Sequence, residues 1–331
     1  MNENKLIVEL EGYLKDRKIE YSRDFKLAMI SYLKSGGAAP LYLSPDNTKD
    51  FVDTICYCSK NGIRFVILGN ASNCLFKDDM YDAVFISTKR MALIAYNQFR
   101  RSVTVDAGLM LPAFVNEVSR NRKTGFEGLS GIPGTIGGAI YMNAGAYGNE
   151  IADHIEDILI CDQSGNKKTL TKIQAEFGFR QSIFQKRKDW VILSAKFNLK
   201  EGDLAEITNK IALCKSKRSM YQESVYPNLG SLFRTRDIYA DIAKNSAIFG
   251  MVLWVMRKLS RIYGRKNNRF LNAITKMYYG LEYDSEKPYS DKTLNCLVNR
   301  GHLDFRKAMD FIKKMKAILG NKVELEIEVI E

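Results

Sequence analysis

The spacing of apolar and polar residues predicts alternating helices and strands in the first third of the chain. Residues 1–33 fit one helix, and residues 49–60 fit a second helix capped by the Asp46-Asn47-Thr48 segment. Short apolar or alternating runs predict strands over 39–43, 65–68, 83–87 and 102–106, followed by a helix over 110–120. This opening, rich in β-α-β units, is typical of an α/β nucleotide-binding domain.

The remaining pattern predicts a change of domain near residue 200. Strands are expected over 156–162, 168–171 and 190–198, and helices over 202–222 and 303–319. Residues 323–330 alternate strictly and predict a final strand with Glu324, Glu326 and Glu328 on one face. The same alternation is typical of a solvated strand face, so spacing alone assigns these carboxylates no role.

The composition is typical of a soluble protein without a metal site or a disulfide framework. The chain has 331 residues, 46% of them hydrophobic, which is ordinary for a soluble protein of two or three domains. No N-terminal signal is recognisable, and the longest apolar run, residues 247–256, is too short to span a bilayer. Six scattered cysteines without a CxxC pair and only two histidines argue against a metal site or a disulfide framework, and favour the cytoplasm.

The net charge of +12 is concentrated in one segment. Between Ile242 and Leu281 the sequence has eight basic residues and no acidic residue: Lys244, Arg257, Lys258, Arg261, Arg265, Lys266, Arg269 and Lys276. Apolar residues and Trp254 are interspersed with these cations. The segment can therefore cover an active site with its cations facing a diphosphate or water, or it can lie on an anionic membrane surface. No nucleic-acid-binding motif or stacking platform is present, so we expect no nucleic-acid partner.

Two glycine-rich loops are the strongest candidates for ligand binding. Residues 68–73 follow a predicted buried strand, and their small side chains would let backbone N–H groups bind a phosphate, although a tight turn has the same composition. Residues 128–148 contain seven of the 23 glycines. Such a loop is costly in chain entropy and is usually kept where backbone must approach a ligand closely. It matches neither the dinucleotide-binding nor the P-loop pattern.

The order of these loops and of later motifs resembles the UDP-N-acetylenolpyruvoylglucosamine reductases. The segment GLSGIPGTIGGAIYMNAGAYGNEI, residues 128–151, is similar to the flavin loop of that family. Further landmarks follow the family order over nearly the whole chain: Lys34-Ser-Gly-Gly-Ala-Ala39, Leu68-Gly-Asn-Ala-Ser-Asn73, Phe177-Gly-Phe-Arg-Gln-Ser182, Pro227-Asn-Leu-Gly-Ser-Leu-Phe233, Ser290-Asp-Lys-Thr-Leu-Asn295 and Leu325-Glu-Ile-Glu-Val329.

The resemblance implies an α+β fold of the vanillyl-alcohol-oxidase type that binds FAD without a covalent link, since His154 and His302 match no flavin-linking position. It predicts one FAD-binding subdomain over 1–90 and a second over 91–200. The C-terminal strand 323–331 is expected to belong to the second subdomain. A substrate-binding domain would occupy 201–322, with the basic apolar insertion at 242–281.

The resemblance also assigns residues to a site. The predicted catalytic residues are Arg180, Ser231 and Glu328, and the predicted substrate-binding residues are Asn228, Arg234 and Asn295. The predicted cofactor-binding residues are Gly69, Asn70, Ala71, Ser72, Asn73, Ser130, Gly131, Ile132, Pro133, Gly134, Thr135, Gly137, Gly138, Asn143 and Ala144. No metal ligand is implied.

The implied reaction is a reduction in peptidoglycan synthesis. NADPH would reduce the flavin, which would deliver a hydride to the vinyl carbon of an enolpyruvyl UDP-sugar. The resulting carbanion needs positive charge, a hydrogen-bond donor and a proton source. The resemblance implies that Arg180 braces the carboxylate as it gains charge, that Ser231 donates the proton, and that Glu328 is a catalytic glutamate beside the same intermediate. We expect a cytoplasmic enzyme, with peripheral contact to the inner membrane face as an alternative for 244–281.

Three departures from the family pattern leave the identity of the substrate undetermined. Arg234 replaces a family lysine, Thr293 replaces a family histidine, and the stretch between Ser231 and Ser290 is long and lacks the usual glycine-rich segment. A divergent FAD oxidoreductase acting on another sugar in surface-polysaccharide synthesis is therefore a second hypothesis. A membrane-associated flavoprotein without this activity is a third. The sequence does not predict the oligomeric state.

Overall fold

The computed structural model describes residues 3–263, 268–281, 286–320 and 323–331. Arg265 and Lys266 of the basic segment lie outside these residues. Contacts divide the chain into two compact units. The first unit comprises Met1–Lys26, Ala38–Ala71 and Met80–Arg218, and the second comprises Leu27–Gly37, Ser72–Asp79 and Ser219–Glu331. The predicted domain boundaries near 90, 200 and 322 stay a prediction.

The first unit contains two sheets. In one sheet the strands run in the order Glu20–Lys26, Ala38–Ser44, Val84–Ser87 and Phe65–Leu68, and only the first pair is antiparallel. The other sheet is antiparallel throughout, in the order Lys167–Thr171, Ile155–Cys161, Val191–Asn198, Ser102–Asp106 and Ile94–Tyr96. Short pairs join Lys123–Thr124 to Lys200–Glu201, and Gly145–Ala146 to Asn149–Glu150.

The helices of the first unit bury apolar residues, although the last of them is largely exposed and buries only Ile207. They span Glu3–Asp16, Thr48–Lys60, Leu111–Arg120, Ile136–Tyr141 and, as far as Arg218, Leu204–Tyr221. The Asn47 side chain caps the second helix by accepting from the Asp50 N–H at 2.9 Å, as the sequence predicts. Phe51 and Ile55 of that helix are fully buried because their spacing places both on the core face.

The second unit is mainly helical. Its helices span Ile238–Lys244, Ala247–Tyr263, Asn268–Tyr279 and Phe305–Leu319, and its core includes Phe233, Phe249 and Phe311. The strand Asn228–Ser231 pairs antiparallel with Cys296–Val298, and the strand Glu328–Ile330 pairs in parallel with Cys74–Phe76.

Two predicted elements are wrong in extent. The helix predicted over 1–33 ends at Asp16, since Lys18 has a φ of 58°, and Glu20–Lys26 forms an edge strand. The strand predicted over 323–330 is a strand only at Glu328–Ile330. Residues 324–326 pair instead with residues 232–234. The Arg234 N–H donates to the Glu324 carbonyl and the Glu326 N–H donates to the Leu232 carbonyl, each at 2.9 Å.

Candidate functional site

The first glycine-rich loop is held tightly after its strand. The Leu68 carbonyl accepts from the Thr88 N–H at 2.9 Å and from the Thr88 hydroxyl at 3.3 Å. A methyl group at Gly69 would overlap Thr135 Oγ1, so only glycine fits there without a shift. Ala71 has a φ of 51°, an uncommon conformation for a residue with a side chain. Gly69, Asn70 and Ala71 lie in the first unit, and Ser72 and Asn73 lie in the second.

The second glycine-rich loop is fastened to residues 107–111 of the same unit. The Leu111 N–H donates to the Gly134 carbonyl at 2.8 Å, and the Gly137 N–H donates to the Ala107 carbonyl at 2.8 Å. Thr135 caps the short helix that follows, since its hydroxyl accepts from the Gly138 N–H at 3.3 Å. Thr135 therefore connects the two loops of the first unit, because Gly69 approaches the same hydroxyl.

Two observations in this loop fit a bound FAD. The Ser130 hydroxyl oxygen is buried without a hydrogen-bond partner among the described residues, which is costly unless a ligand supplies one. A methyl group added at Gly138 would meet no atom of the described protein closer than 3.5 Å, so packing does not explain this glycine. A ligand that needs close access to the backbone explains both features.

Asn143 braces the loop from inside the first unit. Its side chain donates to Glu150 Oε2 and to the Gly178 carbonyl, both at 2.8 Å, and accepts from the Ala152 N–H at 3.4 Å. The residue is almost fully buried and has a φ of 43°. These bonds indicate that Asn143 shapes the predicted cofactor loop, whose end at Ala144 is also buried.

Arg180 contacts the second glycine-rich loop, although it is distant from that loop in sequence. Its guanidinium donates to the Asn143 carbonyl at 3.3 Å and to the Gly145 carbonyl, and it lies 5.2 Å from the centre of the Phe179 ring. The backbone of Arg180 has a φ of 56°, a strained conformation of the kind that accumulates at functional sites. The first unit thus brings Arg180 together with the predicted flavin loop.

Sequence reasoning missed Arg218. The Nε atom of this half-buried side chain lies 2.6 Å from the position that a methyl group on Gly131 would occupy. Burial lowers the pKa of the Arg218 guanidinium, and the neighbouring Tyr147 partly opposes that shift. A cation at the flavin loop suits a diphosphate group. No local pattern indicated it, because Arg218 is one of many basic residues on a helix.

His154 has a structural role. Its ring packs 4.3 Å from the Phe126 ring centre, and its Nε2 lies 3.0 Å from the Gly125 carbonyl oxygen. A side chain at Gly125 would overlap the His154 ring. Burial lowers the pKa of His154 below its ordinary value.

The second unit places Ser231 at an exposed strand end. Its backbone pairs with Cys296, and its hydroxyl makes no hydrogen bond within the described part of the chain. Glu328 is half-buried and begins the strand that pairs with Cys74. Two bonds fasten this strand to Asn73, since the Glu328 N–H donates to the Asn73 carbonyl and the Asn73 side chain donates to the Glu326 carbonyl, each at 2.9 Å.

Backbone bonds bring the Ser231 and Glu328 segments together. The Leu232 carbonyl accepts from the Glu326 N–H, and Phe233 bridges antiparallel to Leu325. The predicted proton donor and the predicted glutamate therefore belong to neighbouring segments of the second unit.

The three predicted substrate-binding side chains are engaged within the second unit. The Asn228 amide donates to the Tyr226 carbonyl at 2.8 Å and accepts from the Gly230 N–H at 3.0 Å. Arg234 forms an ion pair with Glu324 at 2.8 Å. The Asn295 amide accepts from the Phe233 N–H at 2.7 Å and donates to the Phe233 carbonyl at 3.1 Å. All three shape the segment around Ser231, and their direct contact with substrate stays a prediction.

Thr293 supports Asn295, and Ser290 holds Glu223. The Thr293 hydroxyl accepts from the Asn295 N–H at 3.1 Å. The Ser290 hydroxyl donates to Glu223 Oε2 at 2.6 Å. Burial alone would raise the pKa of Glu223, but this bond and three backbone N–H groups hold the pKa below its ordinary value.

Comparison with known proteins identifies the class and then the family. A family model described as an FAD binding domain matches residues 39–171. The UDP-N-acetylenolpyruvoylglucosamine reductase of Fervidobacterium nodosum is 38% identical over 61% of this chain and 64% of its own length, slightly under two thirds. The corresponding reductase of Streptococcus thermophilus is 35% identical over 65% of this chain and 70% of its own length.

A solved structure has the same fold over almost the whole chain. The UDP-N-acetylenolpyruvylglucosamine reductase of Thermus caldophilus superimposes with a TM-score of 0.70 at 22% identity, covering 95% of this chain and 99% of that one. The fold, the loops and the FAD-domain match together place the chain in the class of FAD-binding proteins, as predicted. The chain belongs to the UDP-N-acetylenolpyruvoylglucosamine reductase family, which confirms the resemblance read from the sequence motifs.

Proposed function

We propose that this protein reduces the enolpyruvyl group of UDP-N-acetylglucosamine enolpyruvate to give UDP-N-acetylmuramate for peptidoglycan synthesis, with NADPH as the reductant. The observation that best supports the proposal is Ser231, an exposed hydroxyl on a segment bonded directly to the one that leads into Glu328. A protein that only bound flavin would have no need of this arrangement.

FAD would be held in the first unit by the two glycine-rich loops, with Ser130 and Arg218 as polar contacts. Bound FAD would supply the hydride-transfer chemistry between NADPH and the substrate. The contribution of this chain is to bind the anionic substrate, to stabilise the charge that develops on it, and to supply a proton.

Ser231 and Glu328 would complete the reduction. Hydride addition at the terminal vinyl carbon leaves an electron pair on the carbon next to the carboxylate. The Ser231 hydroxyl donates its proton to that carbon and is later reprotonated from solvent. Glu328 lies beside the same intermediate. The net reaction consumes one hydride and one proton, so the enolpyruvyl ether becomes a lactyl ether.

Arg180 would stabilise the substrate carboxylate as negative charge spreads onto it. An arginine is always charged, and its planar fork of donors matches a carboxylate. The bonds from Arg180 to the Asn143 and Gly145 carbonyls fix its guanidinium before substrate binds, which is the preorganisation that such catalysis needs.

The proposal is tested by the Ser231→Ala variant. We expect NADPH to reduce the bound flavin of this variant at the wild-type rate, while sugar-dependent turnover falls by about 10²- to 10⁴-fold, because only the proton donor is lost. The product is identified by mass spectrometry as the lactyl ether. Unchanged turnover in the variant would remove Ser231 from the mechanism.

A second candidate function is reduction or oxidation of a different sugar substrate in surface-polysaccharide synthesis. The observation in its favour is the ion pair between Arg234 and Glu324, because this arginine replaces the family lysine and is already engaged. A flavin that NADPH reduces but the enolpyruvyl UDP-sugar does not reoxidise would favour this candidate.

We propose that the protein works in the cytoplasm, with a peripheral contact at the inner membrane face through residues 244–281. A flavoprotein held there without reductase activity would keep the membrane contact and bind FAD, yet would release no lactyl ether.

A further inference from the structure

The helix Ala247–Tyr263 has apolar side chains on both sides. Phe249 and Leu253 are buried in the core of the second unit. On the outward side, Ile248 and Met251 are 62% and 70% exposed, and Val255 continues the same stripe at spacings of three and four residues. A helix that is apolar all round is normally covered on every side.

The neighbouring helix Asn268–Tyr279 has a similar arrangement. Leu271 and Thr275 are buried, whereas Phe270 and Met277 are exposed, with Ala273 between them on one stripe. The end of this helix lies beside the start of the other, since the Tyr278 hydroxyl is 3.4 Å from Ser246 Oγ and the Tyr279 ring centre is 6.4 Å from that of Phe249. A single exposed apolar residue, such as Ile173 of the first unit, needs no such explanation.

We define the exposed apolar face as Ile248, Met251, Trp254, Val255, Phe270 and Met277. We propose that the exposed apolar face docks on an anionic bilayer surface. This inference deepens the location given under the proposed function, and it depends on that function only for placing the protein in the cytoplasm.

Charge favours a bilayer over the other possible occupants. The stretch from Ile242 to Leu281 has eight basic residues and no acidic residue. Lys244 and Arg257 pair with Asp241 and Asp237 just before it, and the remaining cations would meet like charges in a second copy. An anionic lipid surface instead complements the cations, while its acyl region accepts the apolar side chains.

Trp254 has the position expected of an interfacial residue. Its side chain is 58% exposed, and the Lys258 ammonium group lies 4.0 Å from the ring centre. A shallow cleft of about 310 Å³ beside the ring is lined by Gly250, Leu253, Arg257 and these two residues. A ring at the boundary of apolar and basic side chains is typical of groups that lie at lipid headgroups. None of the described helices is both long and apolar enough to cross a bilayer.

The test is sedimentation of the full-length holoenzyme with phosphatidylcholine vesicles and with vesicles that also contain phosphatidylglycerol. We expect binding to the anionic vesicles at low salt and weaker binding at high salt. The double variant Met251→Glu/Met277→Glu should bind at least about ten-fold more weakly, because it places two carboxylates on the apolar face. The matched control Leu93→Glu/Ile173→Glu changes two equally exposed apolar residues of the first unit and should bind like wild type.

Two outcomes would overturn the docking proposal. One is wild-type protein that does not bind anionic vesicles at low salt, or that binds them no better than the Met251/Met277 variant does. The other is a wild-type dimer by light scattering that this variant abolishes, since a second copy would then cover the face. The thermal unfolding midpoint establishes that each variant folds. Turnover without vesicles should be equal in all variants, so failure of docking is separate from failure of the reductase activity.

Discussion

The side-chain amide of Asn295 binds both backbone groups of Phe233, accepting from its N–H at 2.7 Å and donating to its carbonyl at 3.1 Å. The Asn295 carbonyl also accepts from the Leu232 N–H at 3.0 Å. One residue therefore fixes the chain immediately after Ser231. We infer that Asn295 is a positioning residue for the proton donor.

The Asn295→Asp variant tests this role. It keeps the acceptor for the Phe233 N–H but places a carboxylate oxygen against the Phe233 carbonyl. We expect the free energy of unfolding to fall by about 1–3 kcal/mol. We also expect kcat to fall while KM for the sugar changes little, since the serine is displaced and the substrate contacts remain. Denaturant unfolding and steady-state kinetics measure both quantities.

The control is Asn209→Asp, at an exposed helix position, which should leave kcat and stability unchanged. A raised KM with unchanged kcat in Asn295→Asp would instead support the direct substrate contact that the resemblance predicts.

Gly138→Ala separates cofactor access from packing. The added methyl group meets nothing in the described protein closer than 3.5 Å, and alanine favours a helix over glycine by about 1 kcal/mol. We expect unchanged or raised stability of the apoprotein and weakened FAD binding, measured by flavin fluorescence titration. In Gly69→Ala the methyl group would overlap Thr135, so both stability and FAD binding should fall. Wild-type FAD affinity in Gly138→Ala would show that FAD does not approach this glycine.

Arg218 should contribute to FAD affinity through its charge. We expect Arg218→Met to weaken FAD binding by roughly 10- to 100-fold, since a hydrogen bond to a charged group contributes about 1.5–3 kcal/mol. Arg218→Lys should recover part of the affinity, and Lys210→Met on the same helix serves as the exposed control. If Arg218→Met binds FAD as tightly as wild type, the residue only packs against Gly131.

His154 predicts a pH dependence of stability. Burial lowers its pKa in the folded protein below the ordinary value of 6.5, so the unfolded chain binds more protons as the pH falls below 6.5. Stability should therefore decrease with falling pH from about 6.5 until the lowered folded pKa is reached. The His154→Gln variant should lose this slope in denaturant unfolding. A wild-type slope in the variant would assign the effect to other groups.

Local chemistry explains which features the sequence could predict. The flavin loop was recognisable because its glycines are required for local steric reasons and lie close together in the sequence. The helix Thr48–Lys60 was recognisable because its cap and its apolar spacing lie in one continuous segment. The strand Glu20–Lys26 was missed because only Tyr21 and Phe25 are apolar, and it is stabilised by pairing with Ala38–Ser44. Long-range pairing also divides the predicted strand 323–330 between two partners.

The candidate site shows the same difference between local features, which the sequence predicts, and long-range contacts, which it does not. Motif residues such as Ser231 and Arg180 were predicted by resemblance, whereas their supports depend on tertiary contacts. The packing of Arg218 against Gly131 and the bonds of Asn295 to Phe233 join residues far apart in the chain, and no spacing pattern indicates them.

The most direct test of the central claim is the visible spectrum of the purified protein under anaerobic conditions. The account predicts yellow protein with flavin bands that NADPH bleaches and that UDP-N-acetylglucosamine enolpyruvate restores, with formation of UDP-N-acetylmuramate. Colourless protein that FAD cannot reconstitute would contradict it, because the two glycine-rich loops would then have no cofactor to bind.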